Sequence, residues 1–187
     1  MSPDEFYASL AARIIDIADG LIPERLMYGY QREFAYAYAY FVITCASEDL
    51  TALFARQSGK TETIARVSVA LAVTLPSLAK ETNGLLETFV KGVWIGIFAP
   101  VKDQAGTSFE RVCNTFESPF GQALLAGLAI TTVEANKTSR LLNNGSFIRI
   151  WSASPASNIE SKTLHVAVVE EAQDVTTLKI RKSIEPM

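Results

Sequence analysis

An α/β fold with a mainly parallel sheet is predicted by three features of this sequence. Short apolar runs alternate with longer segments in which apolar residues recur at helical spacing. A Gly-Lys-Thr triplet opens one of the helical segments, and a later apolar run ends directly in two glutamates. Strand–helix alternation favours parallel pairing, because parallel strands need long crossover connections that are usually helical.

The composition is that of a globular domain. Of 187 residues, 49% are hydrophobic and 20% are charged, which suffices for one domain with its own core. The net charge of -3 gives no global attraction to nucleic acid. The two distant cysteines make neither a disulfide framework nor a metal cluster. Because the N-terminus lacks the parts of a signal peptide and the apolar stretch 67–79 is too short to span a bilayer, we expect a soluble, intracellular chain.

The N-terminal part of the chain predicts two helices. Apolar residues from Phe6 to Ile17 recur at helical spacing, and Gly20 is expected to end the first helix. Residues 30–46 are ambiguous, since their tyrosines alternate as in a strand while the alanine-rich filling favours a helix. We expect these tyrosines to pack the helix against the sheet rather than to stack on a base.

The remaining elements follow in order. Residues 49–55 predict a short strand, and residues 60–75, which begin with Lys60 of the triplet, predict a helix. Residues 91–100 predict a buried strand, and 101–120 a helix. Residues 139–153 predict a hairpin that turns at an Asn-Gly pair.

The stretch ARQSGKT has most features of a phosphate-binding loop. In such a loop backbone N–H groups converge on the phosphates, glycine permits the turn, lysine reaches the β and γ phosphates, and a hydroxyl binds Mg²⁺. Gly59, Lys60 and Thr61 fill these roles. The match is partial, because Phe54 stands where the usual pattern has its first glycine. The alternative is a strand-turn-helix joint that carries a lysine by chance.

A carboxylate at the tip of a neighbouring strand would complete such a site. Val166–Val169 are expected to be a buried strand, and Glu170 and Glu171 follow it directly. Successive side chains on a strand point to opposite faces, so we assign Glu170 to the metal and Glu171 to the attacking water. A strand that ends in a solvated charge pair is the alternative. The two motifs together favour nucleotide hydrolysis.

These segments resemble the large terminase subunits of tailed bacteriophages, which are ATP-driven motors that pump double-stranded DNA into a capsid. ARQSGKT resembles their Walker A motif, which lacks the opening glycine, and VAVVEEAQ resembles their Walker B strand. YQREF at 30–34 resembles the upstream Tyr-Gln segment near the adenine, and IFAPVKDQAGTSFERV resembles their second strand and helix. The resemblance covers roughly residues 28–178.

The resemblance implies a three-layer P-loop NTPase core of the ASCE type that uses ATP and Mg²⁺. The implied catalytic residues are Glu171, Lys60 and Arg56; the implied nucleotide-binding residues are Gln31, Arg56, Gln57, Ser58, Gly59, Lys60 and Thr61; and the implied metal ligands are Thr61 and Glu170. Arg56 matches an arginine that acts at the γ-phosphate, and a structural salt bridge is an equal alternative for it. Gln31 is a candidate to pair with the adenine edge, and a solvated helix start is its alternative.

The sequence departs from the family pattern in two ways. Glu170 stands where the family usually has aspartate, which is expected to rearrange the magnesium contact. The chain stops at Met187 soon after the Walker B segment, so we expect residues 1–187 to be an ATPase domain without its C-terminal part and without the ribonuclease H-like nuclease domain. The implied partners are double-stranded viral DNA, the terminase small subunit, the portal protein and further copies of the chain in a ring, in the host cytoplasm and with no membrane.

Two other functions fit the same motifs. A helicase-like, nucleic-acid-dependent ATPase shares the broad fold, and a nucleotide-binding module that does not hydrolyse would fit Glu170 and the early end of the chain. The single histidine, His165, is expected at the surface or in a capping role, since one histidine makes no metal site. No DNA-contacting residues are assigned, because scattered cations on exposed strands are usually only solvated.

Overall fold

The fold is an α/β arrangement around a five-stranded mixed sheet. The computed structural model describes residues 2–46, 49–154 and 163–184, with the side chains of 102–104 outside that description. The described helices are α1 Pro3–Gly20, α2 Gly29–Ile43, α3 Lys60–Ala79, α4 Lys102–Glu117, α5 Pro119–Gly127 and the short α6 Thr177–Lys179. The described strands are β1 Trp94–Ala99, β2 Thr132–Ala135, β3 Ser139–Leu142, β4 Phe147–Ser152 and β5 Val166–Val169. Single turns of other helix types cover Glu87–Phe89, Ala172–Asp174 and Ile180–Ile184.

Parallel pairing is confined to the part of the sheet around β1. The strand order is β2-β3-β4-β1-β5, and β1 pairs in parallel with both β4 and β5. The pairs β2–β3 and β3–β4 are antiparallel. The predicted α/β class is confirmed, and the predicted hairpin forms between β3 and β4. The hairpin turns at Asn144-Gly145, where Gly145 has φ of 85° and a Cβ would lie 2.2 Å from the Lys91 carbonyl oxygen.

The N-terminal helices form as the sequence predicts. Ser2 caps α1 through a reciprocal pair of hydrogen bonds with Glu5, and the helix ends at Gly20. The ambiguous segment forms helix α2. Its buried Tyr38 packs against α3, because its hydroxyl lies 3.0 Å from the Ser68 hydroxyl, and burial raises the pKa of Tyr38 to about 12. Tyr38 therefore helps to join two helices, whereas we expected the tyrosines to pack against the sheet.

Helix α3 is the centre of the helical layer. It contacts α1 and α2 on one side and α4 on the other. The stretch 67–79 was expected to be too short to span a bilayer, whereas the whole helix, Lys60–Ala79, is long and apolar enough to do so; 83% of its most apolar window is buried inside the fold. The helix continues through Pro76, which the sequence prediction did not include. Burial on all sides explains why its apolar residues do not form a single stripe.

Two apolar clusters lie on opposite faces of the sheet. Along β1, Ile95 and Ile97 face the main cluster beneath α3 and α4, while Phe98 faces the other side. Phe98 packs there with Val175 and Ile184, which belong to the segment after β5. The sheet is thus covered on one face by helices and on the other by this short C-terminal segment.

The prediction of a strand before the Gly-Lys-Thr triplet is wrong. Residues 49–55 are described but carry no regular structure, and Leu53 is 99% exposed. A strand forms only where a neighbouring strand can accept and donate its backbone hydrogen bonds. Among the strands that the structure describes, β5 pairs only with β1, so residues 49–55 do not pair with it. As the edge strand, β5 is half-buried, with Ala167 exposed, although a fully buried strand was expected. Strand β2 and helix α5 were not predicted at all; Ser118 caps α5, whose first residue is Pro119.

Candidate functional site

The Gly-Lys-Thr triplet lies where a tight turn meets α3: Gly59 ends the turn, and Lys60 and Thr61 are the first residues of the helix. Gln57 and Gly59 both adopt the left-handed conformation, with φ of 60° and 80°. The Ser58 N–H and hydroxyl both donate to the Ala55 carbonyl, at 3.3 and 2.6 Å, which closes the turn. Within α3 the first backbone N–H to find an intrahelical partner is that of Thr63, which donates to the Gly59 carbonyl at 2.9 Å. The preceding N–H groups form the positive end of a long helix, which suits an anion.

Helix α2 holds this turn from the side. The Gln31 side-chain amide donates to the Ser58 carbonyl at 2.7 Å, and the Tyr30 hydroxyl donates to the same oxygen at 2.9 Å. The Gln31 amide oxygen in turn accepts the Tyr28 backbone N–H at 2.8 Å. Both ends of the Gln31 amide are therefore bonded within the protein.

Phe54, the residue in place of the usual opening glycine, is anchored on α2. The centroid of its ring lies 5.1 Å from that of Phe34, in an edge-to-face contact, and 6.1 Å from that of Tyr30. Such aromatic pairs stabilise a contact beyond the area they bury. The loop is thus tied by aromatic packing to a helix, in a region where the expected strand does not form.

The end of β5 brings a carboxylate to the loop. The Lys60 ammonium lies 3.4 Å from one oxygen of Glu171, and the Gln173 amide donates to the other oxygen at 2.6 Å. The hydrogen bond from Gln173 and the charge of Lys60 lower the pKa of Glu171, and the charge of the exposed Arg56 adds to this. Glu171 itself is left-handed, with φ of 48°, which turns its side chain out of the strand.

Glu170 points the other way and is buried. It is 8% exposed, and the Ser108 hydroxyl of α4 donates to one of its carboxylate oxygens. Its other oxygen is buried without a hydrogen-bond partner in residues 2–46, 49–154 and 163–184. A buried carboxylate oxygen without a partner is costly. A hard cation such as Mg²⁺ would satisfy it, so Glu170 fits a metal ligand.

A cavity of about 160 Å³ lies beside the loop, between α2 and α3. Tyr28, Gln31, Gly59 and Arg66 are among the residues that line it. The Arg66 guanidinium is 1% exposed and is held by the Glu62 carboxylate at 3.1 Å. Arg66 is not among the predicted site residues, although an arginine inside an apolar helical run is a signal that the sequence shows. Ser108 is not among them either, and no motif in the sequence indicates it.

The structure brings most of the predicted site residues to one region. Lys60, Glu171 and Arg56 interact electrostatically, and Gln31 contacts the loop at Ser58. Thr61 lies half-buried in the first turn of α3. Thr61 follows Lys60 directly in the sequence. The role of the Thr61 hydroxyl as a metal ligand remains a prediction.

His165 lies half-buried next to β1, whereas it was expected at the surface or in a capping role. Its Nδ1 accepts the Trp94 backbone N–H at 2.9 Å, and its ring lies 5.3 Å from that of Phe89. Burial lowers the pKa of His165, and a hydrogen bond with the Thr88 backbone opposes this in part. Its role is structural in this geometry.

Comparison with known proteins adds no assignment. No model of a protein family matches the chain, and no curated protein gives a significant match. Within the part of the chain that the structure describes, no group of three or more histidine, cysteine, aspartate or glutamate side chains could hold a metal ion. Mg²⁺ at nucleotide sites usually needs no such group, because one or two carboxylates hold it together with phosphate and water oxygens.

Proposed function

We propose that this chain is the ATPase domain of a terminase large subunit of a tailed bacteriophage, which hydrolyses ATP to translocate double-stranded DNA into a capsid. One observation carries the proposal: the Lys60 ammonium lies 3.4 Å from Glu171, across 111 positions of sequence. A chance Gly-Lys-Thr joint has no physical reason to meet the diacid at the end of β5. A phosphate site requires this meeting, since the lysine and the water-orienting acid act on the same γ-phosphate.

The proposed chemistry is mainly positioning and electrostatics. The free N–H groups at the start of α3 and the Lys60 ammonium bind the phosphates. Glu171 is ionised at neutral pH, because its pKa is lowered, and it can orient and polarise the attacking water. Arg56 lies close enough to affect Glu171 and can offset the charge that develops on the transferred phosphoryl group.

Thr61 and Glu170 are the residues that would hold Mg²⁺. When bound, the ion would neutralise phosphate charge and help to orient the triphosphate. Glu170 supports this assignment because one of its oxygens is buried and unpaired among the described residues. Ser108 fixes the other oxygen, so the longer glutamate side chain is held in one orientation where the family usually has aspartate.

The broader proposal follows from the resemblance. It includes a P-loop NTPase core, double-stranded viral DNA as the substrate to be moved, the terminase small subunit and portal protein as partners, a ring of several copies, and the host cytoplasm as the location. A mixed sheet with parallel pairs around β1 supports the core. In open α/β sheets, ligands bind at the carboxyl ends of such strands.

The test measures ATP binding and phosphate release side by side, with no DNA, with double-stranded DNA and with single-stranded DNA. Magnesium-dependent phosphate release that double-stranded DNA stimulates is the expected result. Stimulation by single-stranded nucleic acid alone would favour the helicase-like ATPase. Failure of the chain to bind ATP would refute the nucleotide site altogether.

A nucleotide-binding module without turnover is the second candidate. The observation in its favour is that the Glu171 carboxylate is already engaged on both oxygens, by Lys60 and by Gln173. If these contacts persist when ATP binds, Glu171 is not free to orient water. ATP binding with no phosphate release under any of the three DNA conditions would identify this function.

A further inference from the structure

Both ends of the Gln31 amide are already hydrogen-bonded to the backbone of the protein. Gln31 is 7% exposed, its Nε2 donates to the Ser58 carbonyl at 2.7 Å, and its Oε1 accepts the Tyr28 N–H at 2.8 Å. Pairing with an adenine edge would require an amide donor and acceptor at once. One N–H and one oxygen lone pair of the amide remain, but both existing bonds hold the buried side chain in place, so turning the amide toward a base would cost these contacts.

Gly59 shows that the loop is built around this side chain. A Cβ on Gly59 would lie 2.2 Å from the Gln31 Nε2, so no other residue type fits without a shift. Gly59 also has φ of 80°, a conformation that favours glycine. The glycine of the Gly-Lys-Thr triplet therefore serves the contact with α2 as well as the turn itself.

Other contacts from α2 act at the same point. The Tyr30 hydroxyl bonds the same Ser58 carbonyl at 2.9 Å, and Phe54 packs against Phe34 of α2. Residues 49–55 form no strand, so a strand does not rigidify the entrance to the loop. The contacts from α2 therefore fix the Ser58 carbonyl from outside the loop, in addition to the bonds from Ser58 to Ala55 that close the turn.

We infer that Gln31 is a positioning residue for the phosphate-binding loop, acting through its bond to the Ser58 carbonyl. This inference rests on the proposed function, in that it assumes that the loop binds a triphosphate. Gln31 then contributes to the affinity for phosphate groups whatever base they carry. The stacked rings of Tyr28 and Tyr30, with centroids 5.9 Å apart and planes 10° from parallel, line the same cavity. They offer a flat surface on which a base can stack, and stacking does not distinguish one base from another.

The experiment compares three ligands that share phosphate groups and differ in the base: ATP, GTP and inorganic tripolyphosphate, all with Mg²⁺. The variant is Gln31→Met, which keeps the length of the side chain, removes both hydrogen bonds and adds no charge. A second variant, Tyr30→Phe, removes only the hydroxyl at the same carbonyl and keeps the ring. The matched control is Gln122→Met, which removes a similar amide-to-carbonyl bond, of 2.7 Å, between Gln122 of α5 and Phe116 of α4.

The expected result is that Gln31→Met weakens binding of all three ligands by the same factor, on the order of tenfold, with the ratio of ATP to GTP affinity unchanged. Tyr30→Phe gives a smaller loss with the same equal pattern, and Gln122→Met gives none. Thermal midpoints measured in parallel separate these losses from unfolding, because a purely structural residue would lower the midpoint without lowering phosphate affinity in the folded protein.

Two results would overturn the inference while leaving the proposed function in place. One is that Gln31→Met alters the ratio of ATP to GTP affinity and leaves tripolyphosphate binding unchanged, which identifies Gln31 as a base-recognising residue. The other is unchanged affinity for all three ligands in both variants. If the unmodified chain binds none of the three ligands, the proposed nucleotide site itself fails, and the inference fails with it.

Discussion

The Lys60 ammonium and the Glu171 carboxylate form an ion pair of 3.4 Å that joins the start of α3 to the end of β5. The two side chains are 29% and 43% exposed, and pairs with that exposure contribute little to stability. A bound triphosphate can therefore replace Glu171 as the partner of Lys60 at a small cost in free energy. We interpret the pair as the resting arrangement of a site whose two charges act separately when the ligand is bound.

Lys60→Ala and Glu171→Gln are expected to affect the proposed reaction differently. Loss of the ammonium removes a phosphate contact, so ATP binding and hydrolysis both fall. Glu171→Gln removes the water-orienting charge and frees Lys60, so hydrolysis falls by at least about 100-fold while ATP binding is kept. Titration with ATP and release of phosphate are measured on the same preparations. Normal hydrolysis by both variants would contradict the assignment.

Glu170→Gln is expected to separate metal binding from folding. The substitution removes a buried charge with one unpaired oxygen, so the thermal midpoint should not fall. The enhancement of ATP binding by Mg²⁺ should drop by about tenfold or more, because the neutral amide is a weaker ligand for a hard cation. Binding is measured over a range of Mg²⁺ concentrations. An unchanged Mg²⁺ dependence would show that Glu170 holds no metal.

Gly59→Ala is expected to destabilise the loop. The added Cβ meets the Gln31 Nε2 at 2.2 Å, and φ of 80° costs alanine roughly 1–2 kcal/mol. Gly106→Ala in α4 is the control, because a Cβ there meets nothing within 4 Å, and alanine should stabilise that helix by about 0.5–1 kcal/mol. Chemical denaturation measures both variants. Equal stabilities for the two would show that the loop does not hold Gly59 in this conformation.

The stability of the fold is expected to fall in mildly acidic solution because of His165. Burial lowers the pKa of this histidine below its ordinary value of 6.5, so the unfolded chain binds its proton at a higher pH than the folded chain. The free energy of unfolding is therefore greatest above pH 6.5 and decreases as the pH falls below it. His165 is the only histidine, so thermal midpoints between about pH 7 and pH 5 report mainly on it.

His165→Asn is the control for this pH dependence. Asparagine does not titrate, and its amide oxygen can accept the Trp94 N–H that the imidazole Nδ1 accepts at 2.9 Å. The midpoint of the variant should change less between pH 7 and pH 5 than that of the original chain. The same pH dependence in both proteins would mean that other groups cause it.

The sequence alone determined the local elements of this protein. Helices α1 and α2, most of α3 and the hairpin at Asn144-Gly145 form where it predicted them. The physical reason is that apolar periodicity, capping and turn chemistry act over a few residues. The sequence also marked Lys60 and Glu171 as candidates, because their motifs are short and contiguous.

Only the tertiary structure decided which groups meet and which are already occupied. A strand needs a neighbour, so nothing within residues 49–55 could show that they would stay unpaired. Local spacing did not show that Glu170 would turn to Ser108 while a left-handed Glu171 turned to Lys60. From the sequence, the Gln31 amide was a candidate to recognise a base. In the fold, α2 packs against the loop and the amide bonds to the backbone of Tyr28 and Ser58. The sequence could not show the bond to Ser58, because hydrogen bonds between distant segments form only once the chain is folded.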